Sequence, residues 1–209
     1  MNDGLIKHKD GKIRCGWAGT DPLYVHYHDT EWGRPVDDDI RLFEKISLEG
    51  FQAGLSWFTI LKRREHFRAA FAGFDFEKLA RFTRKDVERL LQNENIIRHR
   101  GKIEAAINNA QKVADLINAK GSLAAYFWSF EPSPSSRPSV LDYEAAKSLT
   151  VTAESKALSK DLKKRGFSFV GPTTMYAHMQ AMGMVNDHLE GCHCRTAVEK
   201  QRKAFVRPA

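Results

Sequence analysis

The chain has 209 residues, enough for one domain with a substantial core. Its 42% hydrophobic and 28% charged content is that of a globular protein, and no apolar run is long enough to span a bilayer. A net charge of +7 favours acidic partners such as nucleic acid, and three cysteines, an odd number, argue against a disulfide framework. With no apolar signal core at the N-terminus, a cytoplasmic location is the expectation.

Residues 1–14 are polar and read as a flexible extension. The next stretch, "RCGWAGTDPLYVHYHDTEWG", crowds Cys15, Trp17, Tyr24, Tyr27, His28 and Trp32 together. From Asp37 to Gly50 an acidic start precedes Ile40, Phe43 and Ile46 at helical spacing, which predicts a helix with Glu49 at its end. Gly50 and Gly54 break the backbone before a second helix over Leu55–Phe74, whose "KRREHFR" face reads as solvated. Thr83 with Asp86 forms an N-cap pattern for a short helix. A longer helix follows from about Gly101 to Ala119, with Gly121 as its stop and Ser122 capping the next.

"EPSPSSRPS", 131–139, cannot continue a helix and reads as a surface loop, a candidate boundary between two lobes. Thr152 caps "AESKALSKDLKKRG", and Pro172 opens a further helix in its first turn. Residues 195–209 form a basic tail, expected to be frayed. Period-2 alternation is almost absent, so the class is all-α, with residues 15–194 as a single domain.

Three constellations carry chemistry. Cys15 and His28 near one end, and His188 and Cys192 at i, i+4 near the other, form a donor set suited to tetrahedral zinc. Such an ion would staple the two ends together, and four protein ligands would make it structural. On spacing alone His26, His193 and Cys194 compete for the same roles. In the middle, "NENIIRHRGK" joins two helices and offers Arg98, Arg100 and Lys102 beside a helix N-terminus, an arrangement that can bind a DNA phosphate. Finally, Glu49 could accept hydrogen bonds from a ligand's amino group, with Trp57, Tyr27, Tyr24, Trp17 and Trp32 as flat walls, the way a flipped base is read.

Taken together, "CGWAGTDPLYVHYHDTEWG", "LFEKISLEGFQAGLSW", "IIRHRGKI", "KALSKDLKKRGFSFVGPTTMYAHMQAMGMVNDH" and "GCHC" resemble the DNA-3-methyladenine glycosylase I family over Cys15–Cys194. The resemblance implies an all-helical helix-hairpin-helix glycosylase fold whose termini are joined by one structural zinc. It implies Cys15, His28, His188 and Cys192 as ligands, Glu49 as the catalytic residue, Tyr27 bonded to the excised base and Trp57 stacked on it. Tyr24, Trp17 and Trp32 would support that pocket, and Leu55 would enter the gap in the DNA. The implied activity is release of 3-methyladenine from alkylated double-stranded DNA by a monomer with no protein partner. Two departures stand out: Phe51 replaces an expected polar residue beside the pocket, and the last cluster reads Cys-His-Cys. The superfamily's aspartate after the hairpin has no counterpart, because Asp115 falls well down the helix. A zinc-clipped DNA-binding protein without activity and a metallohydrolase are the competing classes.

Overall fold

A computed structural model describes residues 4–209. Helices dominate, as expected, but the class is not purely α. Leu5–Lys7 (β1) and Ile13–Cys15 (β2) pair antiparallel, Leu5 opposite Cys15. Residues 4–14 of the segment expected to be a flexible extension are thus hydrogen-bonded to the domain, while residues 1–3 lie outside the described residues. Strands of three residues are too short for alternation to register in the sequence.

Helix α1, Pro22–Thr30, starts where Asp21 caps it and Pro22 fills its first position. Helix α2, Asp39–Gln52, is the central element, and every residue from Leu42 to Phe51 is buried. That run includes Glu44, Lys45, Ser47 and Glu49. Charged groups are seldom buried unless paired, so α2 is where a site is to be sought. Gly50 lies inside this helix instead of breaking it. A Cβ there would stand 3.3 Å from Phe169 Cβ, so the glycine admits the chain of the 167–170 segment.

The single helix expected over Leu55–Phe74 is broken. Ser56 caps α3, Trp57–Leu61; α4, Arg64–Ala70, follows; and residues 72–74 turn with positive φ at Ala72, Gly73 and Phe74. The "KRREHFR" face is not merely solvated either. Arg64 forks onto Glu31 at 2.5 and 2.9 Å, and Arg68 onto Glu44 at 2.8 and 2.9 Å, fastening α4 to α1 and α2. Phe51 faces Phe67 and Phe71 in the core, not the pocket. It is therefore a packing residue, and its apolar character follows from that.

After α5, Phe76–Leu79, come two helices joined by a turn. A capping box of Thr83 and Asp86 starts α6, Arg84–Leu91, and His99 caps α7, Arg100–Lys120. Ser122 caps α8, Leu123–Trp128. The Pro/Ser loop leads to α9, Tyr143–Ser148; α10, Ala153–Lys164, and α11, Pro172–Ala181, then pack on each other, and α11 packs on α2. That loop is tied down, not a free boundary: Arg137 bonds the Tyr176 hydroxyl at 2.9 Å and also Asp187. The tail is not frayed throughout. Arg195–Ala204 forms α12, and Arg202 and Arg207 both bind Glu131.

Among the described residues, forty buried side chains between Tyr27 and Val185 make the main core, while Cys15, Leu189, Cys192, Cys194 and Val198 form a small second one where the ends meet. No helix among the described residues is long and apolar enough to cross a membrane.

Candidate base pocket and metal cluster

Tyr27 and His28, neighbours on α1, are both buried and serve different sites. His28 joins Cys15, His188 and Cys192 in a cluster whose ligand atoms all lie within 4.8 Å of one another. Cys192 Sγ is 3.5 Å from His28 Nε2 and 3.5 Å from His188 Nδ1, and Cys15 Sγ is 3.9 Å from that same Nδ1. The spacing of His188 and Cys192 works through a turn, not a helix: residues 186–194 are non-helical, with Cys192 N–H donating to Leu189 O.

The outer ring nitrogens are engaged. His188 Nε2 lies 3.1 Å from Trp32 O, and His28 Nδ1 lies 2.8 Å from the Asp29 carboxylate. Each ring thereby turns its other nitrogen toward the sulfurs, the arrangement that orients histidine ligands. Asp29 is itself held by Arg14 at 2.7 Å. Burial alone would raise the Asp29 carboxyl, but hydrogen bonds from Arg14, His28 and His193 hold it well below the usual carboxylate range. Cys15 pulls the Cys192 thiol far down by hydrogen bonding to it, and is itself pushed up by the same contact. His193 and Cys194 lie to one side, forming with His28 and Asp29 a second, partly exposed group. His26 belongs to neither cluster.

Tyr27 faces the other way, into a cleft of about 620 Å³ bounded by α1, α2, α3, α9, α11 and the first strand of the β-hairpin. Glu49 lines it, together with Trp57, Tyr24, Trp17 and Trp32, so all six pocket residues expected from sequence converge. Trp57 heads α3, and its ring centroid is 5.4 Å from that of Tyr27. Trp17 packs on Tyr24 at 5.2 Å and edge-on to Trp32 at 4.9 Å, and Trp32 in turn meets the His188 ring at 4.7 Å. The metal cluster and the cleft thus share a wall. Burial, helped by the Glu49 charge, raises both tyrosine hydroxyls above their ordinary range, so they remain hydrogen-bond donors. Trp57 Nε1 is buried without a partner.

Lys45 is the cleft residue the sequence reading missed. Its ammonium is 2.7 Å from Glu49 and 3.0 Å from the Tyr27 hydroxyl. The available signal was its position, one helical turn before Glu49 on the same face. Asp187 also lines the cleft, but Tyr176, Gln180 and Arg137 already satisfy its carboxylate.

The residues expected at DNA divide. Leu55 stands 43% exposed at the tip of the turn after α2, where Gly54 takes φ +80°. Arg98 and Arg100 are exposed, with Arg100 paired to Glu88 at 2.9 Å. Lys102 is turned inward and buried; its ammonium donates to the carbonyls of Phe51, at 2.9 Å, and Ala53. It closes the C-terminal end of α2 under Leu55, so it has no free face for a phosphate. Asp115 is exposed on α7, outside the cleft.

Residues 17–196 match the model of the methyladenine glycosylase family. A DNA-3-methyladenine glycosylase of Haemophilus influenzae is 49% identical, covering 88% of this chain and 98% of its own. DNA-3-methyladenine glycosylase 1 of Escherichia coli is 51% identical, covering 87% and 96%. A solved structure of the 3-methyladenine glycosylase I of Staphylococcus aureus, described in terms of 3-methyladenine recognition, superimposes with a TM-score of 0.79 at 40% identity, covering 87% and 96%. On sequence and fold alike, the chain belongs to the methyladenine glycosylase family.

Proposed function

We propose that the protein removes 3-methyladenine from alkylated DNA, hydrolysing the N-glycosidic bond and leaving an abasic site. The observation that carries this is Glu49: a buried carboxylate opening into an aromatic cleft, in a chain of this family. N3-alkylation makes the base cationic, so its bond to the sugar is already weak. When that bond breaks, its electrons neutralise the base, and water adds its oxygen to C1′ and loses a proton to solvent. The protein's task is then recognition more than bond activation. Glu49 accepts from the exocyclic amine and favours the positive charge, Trp57 stacks on the ring, and the Tyr27 and Tyr24 hydroxyls donate to its edge. Unmodified adenine is a poorer leaving group and carries no charge for Glu49 to favour.

Leu55, exposed above the cleft, fills the gap the flipped nucleotide leaves. The α6–α7 turn is the helix-hairpin-helix phosphate contact, with Arg98 and Arg100 adding attraction that weakens with salt. Cys15, His28, His188 and Cys192 hold zinc. A tetrahedral centre with zinc–sulfur near 2.3 Å and zinc–nitrogen near 2.0 Å has edges of about 3.5 Å, which the spacing of Cys192 from both imidazoles supports. The ion would fasten the chain ends and hold Trp32 against the cleft. With four protein ligands it has no position for water, which disfavours the metallohydrolase reading.

The test is incubation with dimethyl-sulfate-treated DNA followed by chromatography of the released bases. Free 3-methyladenine is the expected product; no released base would leave the non-catalytic DNA-binding reading in its place.

A further inference from the structure

Lys45 is a buried charged group in the cleft for which the excision step has no use. It is 5% exposed, and its ammonium touches the three groups assigned above to the base: 2.7 Å from Glu49, 3.0 Å from the Tyr27 hydroxyl, and 3.1 Å from the centroid of the Trp57 ring. An ammonium in that position makes the same ion-pair and cation–π contacts that a positively charged purine would make. It also fills the space on that face of Trp57 that a stacked ring needs, because stacked atoms stay about 3.5 Å apart.

We infer that Lys45 is a specificity-determining residue, a built-in stand-in for the charged base that lowers the pocket's preference for cationic over neutral purines. This rests on the reading of the cleft as the base pocket. For a base to stack, the ammonium must leave Trp57. The cavity of about 30 Å³ behind it is lined by Arg41, Arg64 and Arg68 as well as Glu31 and Glu44, and both carboxylates are already paired with Arg64 and Arg68, so the ammonium keeps Glu49 as its counter-ion. Even retracted, Lys45 leaves Glu49 shared between two cations when the base is charged. A neutral purine meets no such repulsion. Without Lys45, the whole field of Glu49 would act on the ligand.

The experiment compares wild-type protein with Lys45→Met, which keeps a straight chain of similar length and removes the charge. Tryptophan fluorescence titrations at neutral pH would use two ligands, the permanently charged 3,9-dimethyladeninium ion and neutral 3-methyladenine. The ratio of affinities, charged over neutral, is expected to rise at least about tenfold in Lys45→Met, since a like charge a few ångströms away in a partly buried site is worth at least that much. An unchanged or lower ratio overturns the inference. Should Lys45→Met not fold, Lys45→Gln must give the same direction of shift. Trp57→Ala separates the two levels of the claim: loss of both ligands upholds the base pocket whatever Lys45 does. Unaltered binding of both would remove the pocket reading, and this inference with it.

Discussion

The metal cluster and the base cleft are built on adjacent residues, His28 and Tyr27, yet they treat polar atoms in opposite ways. In the cluster each imidazole has both nitrogens occupied, one toward sulfur and one toward Trp32 O or Asp29, and a salt-bridged shell of Arg14 and Asp10 stands outside. The cleft leaves the Trp57 indole nitrogen without a partner and lets one lysine serve both a carboxylate and a phenol. Closed satisfaction marks a structural device. Incomplete satisfaction inside an open cleft marks a place where a ligand supplies the missing partner.

The comparison can be broken most forcefully at the cluster. If the cluster holds zinc as proposed, Cys15→Ala, or exhaustive chelation, is expected to lower the melting temperature by about 10 °C or more, because the binding free energy of a structural zinc is folding free energy. An unchanged thermal melt would show that the ends are joined without an ion. At the cleft the loss should be kinetic instead. Trp57→Ala is expected to cut single-turnover base release by about ten- to a hundredfold, the worth of one stacked base, with fold retained by circular dichroism.

Lys102→Met tests the support beneath Leu55. The carbonyls of buried Phe51 and exposed Ala53 would lose their donor, at a cost of about 1–3 kcal/mol in urea unfolding that comes mainly from Phe51. The salt dependence of DNA binding should stay as it was, whereas Arg98→Ala should reduce its slope by about one. Away from both sites, Thr83→Ala removes a cap and should cost about 1 kcal/mol without altering excision.

The smallest effect concerns pH. Burial disfavours ionised Glu31, but the Arg64 hydrogen bonds and charge outweigh it and hold its carboxyl below the ordinary value. A depressed folded-state pKa contributes stability above the unfolded value, near 4.3, that is lost as pH falls through the folded one. The unfolding free energy of Glu31→Gln should therefore fall less between about pH 5 and pH 3 than that of the wild type. Parallel curves for the two proteins would show that the pair contributes nothing.

What the sequence made legible follows from locality. Caps at Thr83, Ser122 and Thr152 depend on neighbours three residues away, and all three are present. Rare cysteines and histidines of narrow chemistry marked the two chain ends, but spacing alone left His26, His193 and Cys194 in competition, and the family resemblance singled out the four. The broken helix after Leu55 was not legible, since Lys62 and Arg63 carry no breaker signal and the break serves long-range pairs such as Arg64 with Glu31. Lys102 and Lys45 were misjudged or missed for one reason. A lysine reads as surface until the structure shows the carbonyls or carboxylate that bury it.

The most direct test of the central claim is single-turnover release of 3-methyladenine from methylated duplex by wild type and Glu49→Gln, with folding of both checked by circular dichroism. The account predicts release by the wild type and a loss of at least about a hundredfold in the variant, as a buried charged partner of the base is removed. Release by Glu49→Gln at the wild-type rate would contradict it.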